Sequence, residues 1–308
     1  MPDAATAHPT PWPALAAAQA AVVPRVPFLI ADGAHLRPAG SVARSHLGAL
    51  NRWPDALQID SRGVILTLPA DERSRFFTVA NATLHVQRLI VGWRHETYPV
   101  CALDDGRLLA TLERAASRFW GTATLGAHCN GYVADAAGRP THLWIARRSL
   151  SKATDPGLLD NLIGGGVPHG QTPHEAVLRE GWEEAGLRPA DMAGLQPGRR
   201  LRVARDVPEG FQLEWVSVFD LALPADRVPV NQDGEVQSLA CLPVAQALAH
   251  AAAGEMTVDA ALVTLDFALR HGLLPAAEQA PLAAALAPLC VGVAALAHPH
   301  TPPTAESR

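Results

Sequence analysis

"GGGVPHGQTPHEAVLREGWEEAGL" spans Gly164–Leu187. Three glycines lead into a strong helix signal. Thr172 is a good N-cap, Pro173 fits the first helical position, and Glu175 completes a T-x-x-E capping box. Gly186 is a natural stop. The pattern predicts a helix over Pro173–Ala185. At about 100° per residue, Leu178, Gly181, Trp182 and Ala185 share one face, which the reading turns toward the core. Glu180, Glu183 and Glu184 fall within about 100° of each other on the other side. Carboxylates at i, i+3 and i+4 repel by about 0.2–0.5 kcal/mol per pair. Glu183 and Glu184 also lie near the helix C-terminus, where the dipole disfavours anions. Something must offset that repulsion. A hard divalent cation, Mg²⁺ or Mn²⁺, does so, since it takes oxygen ligands and is usually shared between carboxylates and substrate phosphates. A glycine turn lets bare backbone approach an anionic ligand. Together these features point to metal-assisted attack on a phosphate anhydride. The bland alternative is a solvated acidic helix face. A P-loop is excluded, because no Lys stands where G-x-x-x-x-G-K-[ST] requires it, and the G-x-G-x-x-G spacing is absent as well.

The rest of the chain bounds the answer. Its 308 residues are 48% hydrophobic and 18% charged with a net charge of −5, a globular composition without the basic stripe that nucleic acid requires. Arg147–Arg148 and Arg199–Arg200 read as solvated strand ends. Cys101, Cys129, Cys241 and Cys290 form no C-x-x-C pair and read as reduced, buried thiols of a cytoplasmic protein. Cys129, beside His128, is a minor candidate for a nucleophile. The N-terminal stretch lacks the early Lys or Arg of a signal peptide. "APLAAALAPLCVGVAALA", Ala280–Ala297, is broken by Pro281 and Pro288 and reads as a packed or loosely docked terminal helix, not a membrane span. "HPHTPPTAESR" after it reads as disordered.

Coarse organisation follows from period and turn signals. "GVILTLP" reads as a strand and "LERAASRFW" as a helix. "AHCNGYVAD" and "THLWIARRS" flank "AAGRP" as a hairpin, and "LLDNLIGGG" ends another strand in glycines. "RRLRVARDV" and "FQLEWVSVFDLAL" flank a "PEG" turn as a second hairpin. "TVDAALVTLDFALRHG" reads as an amphipathic helix with a Gly stop. Strands mixed with a few helices imply an α+β, or mixed α/β, fold.

The opening stretch resembles the Nudix box. Gly165 is followed at fixed spacing by Gln171, Arg179-Glu180, Glu183-Glu184 and Gly186-Leu187. Gln171 stands where the pattern has its first Glu, and Gly181 where it has an aliphatic residue. Gln171 cannot supply charge, though its carbonyl oxygen can meet metal or water, and Gly181 leaves room for the bulky Trp182 in this reading. "GWRHETYPV", "ERAASRFWGTATLGAHCNGYV", "DGEVQS" and "ALVTLDFALRHG" look like the Nudix proteins related to thiamine pyrophosphokinase, with an N-terminal domain of the DUF4743 type. The resemblance implies a Nudix α/β/α sandwich with a mixed sheet, preceded by a smaller α/β domain. The expected division is a loose lead-in over 1–22, the N-terminal domain over 23–119, the Nudix domain over 120–275, and a C-terminal helix with disordered tail over 276–308.

By resemblance, Glu180, Glu183, Glu184 and Gly165 hold Mg²⁺ or Mn²⁺, one glutamate acts as base for water, and Arg179 orients a glutamate. The implied substrate is a small-molecule diphosphate, damaged thiamine diphosphate (the oxo and oxy forms), cut to the monophosphate in metabolite repair. The expected contacts to it are Gly164, Gly165, Gly166, Gln171, Arg148, Lys152, Glu235 and Trp93. Glu209 and Glu214 are further candidates for a base or ligand, and Trp120 for ring stacking. A broader nucleoside di- or triphosphate hydrolase, and a Nudix-fold sensor that binds without cleaving, remain as rivals. The oligomeric state is left open, a homodimer included.

Overall fold

The computed structural model describes residues 12–292. Helix α1 (Ala14–Ala17) comes first, then the hairpin of β1 (Arg25–Asp32) and β2 (His35–Ala43). Val26, Phe28 and Ile30 alternate inward on β1, as a half-buried strand requires. After α2 (Leu47–Leu50), β3 (Leu57–Asp60) and β4 (Gly63–Leu66) complete a sheet of order β2-β1-β4-β3, in which β1 and β4 run parallel. Helix α3 (Ala70–Val86) covers that sheet with Phe77, Ala80 and Leu84. Asp71 and Glu72 in its first turn suit the helix dipole. A two-stranded ribbon of β5 (Thr97–Cys101) and β6 (Leu108–Glu113) and the short α4 (Ala116–Trp120) close this unit. Its core is aromatic, with the ring of Trp120 4.8 Å from Phe28 and 5.4 Å from Phe77.

The expected helix over "LERAASRFW" is shorter than the sequence suggests. Leu112 and Glu113 belong to β6, paired with Tyr98 and Thr97, and the helix starts only at Ala116. Cross-strand pairing overrides helical propensity there.

The second unit is built on β7 (Ala123–Ala134) and β8 (Pro140–Arg148), the expected hairpin. Then come β9 (Leu159–Asp160), β10 (Ile163–Gly166), α5 (Pro173–Ala185), β11 (Gln196–Val207), β12 (Gly210–Ala222), β13 (Val236–Pro243), α6 (Val244–Ala252), α7 (Val258–Arg270) and α8 (Ala276–Leu286). The sheet order is β11-β12-β7-β8-β13, with β10 on β7 and β9 on β8. β12 and β7 are parallel and the other pairs antiparallel, so the sheet is mixed. On one face Leu143, Ile145, Leu201, Val203, Val216 and Val218 pack against α1, α6, α7 and α8. On the other, Ala127, Cys129, Trp144, Phe219 and Leu221 pack against α5. The result is a three-layer α/β/α sandwich, and the chain as a whole is mixed α/β.

The glycines end a strand, as "LLDNLIGGG" suggests, but the expected glycine turn before the helix is not theirs. Gly164, Gly165 and Gly166 do not form a turn after the strand: they are the strand, paired with His128, Ala127 and Gly126 of β7. The turn is Val167–Gln171.

The ends of the chain differ as well. The expected loose lead-in over 1–22 is docked from Trp12 onward, with Trp12, Leu15 and Ala18 buried beside α7. Ala204 and Asp206 donate backbone N–H bonds to Ala18 and Ala20, so the lead-in runs along the edge of β11. Residues 1–11, the start of that lead-in, and the tail expected to be disordered lie outside the described residues. α8 is packed through Leu282 and Leu286. Among the described residues no helix is long and apolar enough to cross a membrane.

The docking of the lead-in is testable. Trp12 is 2% exposed, so Trp12→Ala should cost about 3–5 kcal/mol in a urea unfolding titration. A loss below about 0.5 kcal/mol would mean the segment contributes nothing to the core.

Candidate functional site

The helix α5 is capped as its sequence requires. Thr172 Oγ1 accepts from the Glu175 N–H at 3.2 Å, and Glu175 Oε2 accepts from the Thr172 N–H at 2.8 Å. Gly186 ends the helix at φ +63°. Its buried stripe, however, is not the expected one. Ala176, Val177, Gly181, Glu184 and Ala185 are buried, whereas Trp182 is 45% exposed. Gly181 makes room for Met192, whose Sδ lies 2.5 Å from where a Cβ would sit, and not for Trp182.

The three glutamates part company. Glu180 and Glu184, one turn apart, both point at β10. Glu184 Oε2 accepts the Gly164 N–H at 2.8 Å. Glu180 lies against Gly165 so closely that any Cβ there would collide with its carboxylate. Glu183, about 60° round the helix from Glu180, turns outward to Arg179 at 2.8 Å. Among the described residues no three His, Cys, Asp or Glu side chains converge as a metal cluster. Of the three glutamates, Glu180 and Glu184 face β10 and Glu183 is held by Arg179. Arg179 serves both sides of the split: Nη2 meets Glu180 at 2.8 Å, Nη1 meets Glu183 at 2.8 Å, and Nε donates to Gln171 Oε1 at 3.3 Å. Gln171 thus holds Arg179 and lines neither cavity of the site.

Burial sets the electrostatics. Glu184 is 5% exposed. Desolvation pushes its carboxyl up to about 8, against the pull of Lys152 and the Gly164 N–H. Burial also raises Glu180, opposed by Arg179. Lys152 Nζ stands 3.7 Å from Glu184 Oε1 and forms an ion pair with Glu235. Two desolvated carboxylates with too little positive charge nearby, set against side-chain-free backbone, are hard oxygen donors of the kind Mg²⁺ or Mn²⁺ takes. The residues present fit such an ion at Glu180 and Glu184.

Beside this pair lies a cavity of about 700 Å³. Arg148, Asp160, Gly164, Gly165 and Gly166 form part of its wall, and Glu209 and Glu214 line it too. Arg148 donates to Asp160 Oδ2 at 2.8 Å. Polar residues at alternate positions of β7 face the same way: Thr124 and His128 line the cavity, and His128 Nδ1 pairs with Asn161 Oδ1 at 3.0 Å. Further along, Gln212 Nε2 donates to Glu214 Oε2 and to Asp259 Oδ2, each at 3.0 Å. Arg205 Nε donates to Gln212 Oε1 at 2.9 Å and so fixes the amide's orientation. Burial disfavours ionised Glu214, but Arg118 at 3.3 Å and Gln212 outweigh it and hold this carboxyl low. Burial, reinforced by Glu214, raises Asp259.

Lys152, Glu235 and Trp93 line a smaller adjoining cavity of about 330 Å³ with Arg94 and Asp233. The sequence-expected contacts are therefore divided between two neighbouring hollows that share Gly92, Arg94 and Ala153. Two candidates fall away. Trp120 is fully buried in the N-terminal core, its Nε1 donating to Asn81 at 2.8 Å, so it stacks on no ligand. Cys129 is completely buried on the opposite face from His128, and burial raises its thiol well above the usual range. Arg114, Arg118, Asp160, Gln212 and Asp259 were not singled out from sequence, whereas Tyr98 belongs to the polar–aromatic run Trp93–Tyr98 that the sequence offers as a substrate contact. The alternation of Thr124, Gly126, His128 and Asn130 on a strand was the available signal for that face.

Two outcomes test this geometry. Gln171→Glu should place a carboxylate on Arg179, changing stability by less than about 1 kcal/mol and activity by less than about threefold; a tenfold gain would mean that position 171 approaches the metal. For Glu184 the folded pKa is raised above the ordinary carboxylate value, so its contribution to stability is full below about 4.5 and falls as pH rises to about 8. In metal-free protein, Glu184→Gln should therefore gain on the wild type across that window, by an amount on the order of a few kcal/mol. A pH-independent difference between the two urea midpoints would contradict it.

Comparisons place these features. Residues 128–261 match the NUDIX domain, and residues 18–124 match a domain of unknown function, DUF4743. Nudix hydrolase 20, chloroplastic, of Arabidopsis thaliana is 37% identical over 66% of this chain and 54% of its own length. Nudix hydrolase 24, chloroplastic, of the same plant is 34% identical over 81% of this chain and 68% of its own. The chain thus spans about half the length of the first of these relatives. Among solved structures, DR0079 from Deinococcus radiodurans is 26% identical, covering 56% of this chain and 99% of that one, with a TM-score of 0.42. With the capped acidic helix on its glycine strand and a relative matched over two thirds of its length, the chain belongs to the Nudix hydrolase family.

Proposed function

We propose that this protein hydrolyses a diphosphate-containing small molecule with the help of Mg²⁺ or Mn²⁺, and that damaged thiamine diphosphate, cut to the monophosphate and phosphate, is its substrate. The observation that carries the reading is the desolvated pair Glu180 and Glu184, pressed against Gly164–Gly165 at the wall of a polar cavity. In this reading the unit over residues 23–119 covers a catalytic unit over residues 120–275, and the reduced cysteines suit the cytoplasm.

Glu180 and Glu184 would hold the ion beside the backbone of Gly165, with Glu183 and Arg179 as their outer support. When bound, the metal neutralises charge on the diphosphate and acidifies a water. The chain's own residues do the rest. Gly164–Gly166 let the diphosphate lie close to the backbone. Arg148, tied to Asp160 and to the Thr154 and Asp155 carbonyls, would lend its positive charge to the diphosphate from the cavity wall. Lys152 adds a cation next to Glu184, and Glu235 holds that ammonium in place. The network of Gln212, Glu214 and Asp259 offers acceptors to the N–H groups of a heteroaromatic ring. The narrower assignment to damaged thiamine diphosphate draws on the resemblance of "GWRHETYPV" and "DGEVQS" and on the fused N-terminal unit. A sensor that binds without cleaving has one feature in its favour: Gln171 and the outward Glu183 leave two inward carboxylates.

Phosphate release should be measured with Mg²⁺ or Mn²⁺ from thiamine diphosphate, its oxo and oxy forms, ADP, dGTP and 8-oxo-dGTP. Preference for the damaged thiamine forms is expected, with loss of turnover in EDTA. Glu184→Gln should lower kcat by about 100-fold or more while the fold is retained. Broad nucleotide turnover would replace the thiamine assignment, and binding without turnover on every compound would favour the sensor.

A further inference from the structure

The N-terminal unit reaches into the catalytic cavity at one place. Thr97 of β5 accepts the His169 N–H at 2.8 Å, which ties the ribbon to the turn before α5. The next residue, Tyr98, is 2% exposed, and among the described residues its hydroxyl has no hydrogen-bond partner although it lies on the cavity wall. That hydroxyl sits over Gly166, where any Cβ would collide with it. The Arg114 guanidinium carbon is 5.5 Å from the centroid of the Tyr98 ring and 3.5 Å from the position a Gly166 Cβ would take. Arg114 pairs with Glu96 at 3.1 Å through Nη1, and among the described residues its Nε and Nη2 have no hydrogen-bond partner. Burial raises the Tyr98 hydroxyl's pKa, so it stays a neutral donor.

A buried donor left without an acceptor is costly, on the order of 1–3 kcal/mol. A guanidinium with free N–H groups beside it, over a strand of glycines, makes an anion subsite of a kind that suits phosphate geometry. We infer that the N-terminal domain of unknown function is a substrate-binding arm of the enzyme: Tyr98 Oη and Arg114 donate to the phosphoryl oxygens of a diphosphate lying along Gly164–Gly166. The inference rests on the proposed diphosphate reading and deepens it. It accounts for why the two units share one cavity, and why residue 166 carries no side chain.

The test uses the full-length chain and methylenediphosphonate, a diphosphate that cannot be hydrolysed at its bridge, titrated calorimetrically with Mg²⁺ present. Wild type should bind it. Tyr98→Phe, which removes only the hydroxyl, should weaken binding by about three- to tenfold, and Arg114→Ala by about tenfold or more, with Arg114→Lys between wild type and Arg114→Ala. Glu96→Gln should bind as well as wild type or better, because it frees Arg114. Arg62→Ala, on a surface pair with Asp60 far from the cavity wall, should change nothing. The same variants assayed for phosphate release should show the effect mainly in KM.

Unchanged affinity in both Tyr98→Phe and Arg114→Lys overturns the inference. So does a Glu96→Gln variant that loses affinity as Arg114→Ala does, since Arg114 would then act only through its ion pair. Failure of the wild type to bind methylenediphosphonate overturns it as well. If wild type hydrolyses a diphosphate but the variants bind normally, the arm is wrong and the hydrolase reading stands. If binding falls in the variants but nothing is hydrolysed, the arm stands and the hydrolase reading fails.

Discussion

Gly164, Gly165 and Gly166 make a strand thin enough to be occupied from both faces. On one side Glu180 packs where a Gly165 side chain would be; on the other, His128 and Tyr98 fill the spaces over Gly164 and Gly166. Strand glycines cost about 0.5–1 kcal/mol each in lost propensity. Pairing with β7 and the Gly164 N–H bond to Glu184 offset part of that cost. Nothing with a Cβ could bring a carboxylate pair and a ligand cavity within one backbone thickness of each other.

The same strand decides how the acidic helix is tolerated. Repulsion among Glu180, Glu183 and Glu184 looks prohibitive when all three share a face. In the fold they are divided. Arg179 stands between Glu180 and Glu183, while Glu184 is taken by a backbone N–H and approached by Lys152. Arg179 partly neutralises the Glu180 side, and its clamp on Gln171 and Glu183 keeps the guanidinium in place. Glu184 receives less. Desolvation dominates it, and on the proposed reading that is the imbalance a bound cation would relieve.

Local signals in the sequence carried the secondary structure well. The Thr172–Glu175 box, Pro173 and Gly186 fix α5 because each acts within one turn of helix. The hairpins of β7–β8 and β11–β12 follow from alternation and turn residues. What was illegible depends on tertiary burial. Helical periodicity cannot tell which side of α5 meets the sheet: Trp182 is apolar yet half-exposed, and Glu184 is charged yet buried, because Met192 and the glycine strand claim the inner face. Trp12 and Ala18 looked like a loose lead-in, since alanine is weakly apolar, but α7 and the edge of β11 supply partners that no local window contains. Of the site, the box residues were readable by spacing. Arg114, Gln212 and Asp259 were not, since they come from distant segments and meet only across the cavity.

The cavity's two ends have opposite chemistry, and this follows from how its side chains are tethered. Toward the glycine strand the charge is positive: Arg114 is held from behind by Glu96, and Arg148 lines the wall with its guanidinium tied to Asp160 and to the Thr154 and Asp155 carbonyls. Toward β12, one amide is fixed by Arg205 so that its two N–H bonds go to Glu214 and Asp259. That leaves Asp259 Oδ1 buried and, among the described residues, without a hydrogen-bond partner. An unpaired buried acceptor raises the energy of the empty state, as an unpaired donor does at Tyr98. A ligand with an anionic group at one end and N–H donors at the other relieves both penalties at once, whereas inorganic phosphate relieves one. On the proposed reading, selectivity for a diphosphate joined to a polar ring would follow from which polar atoms the fold leaves unsatisfied at the cavity wall, and the N-terminal unit contributes one of them, Tyr98 Oη.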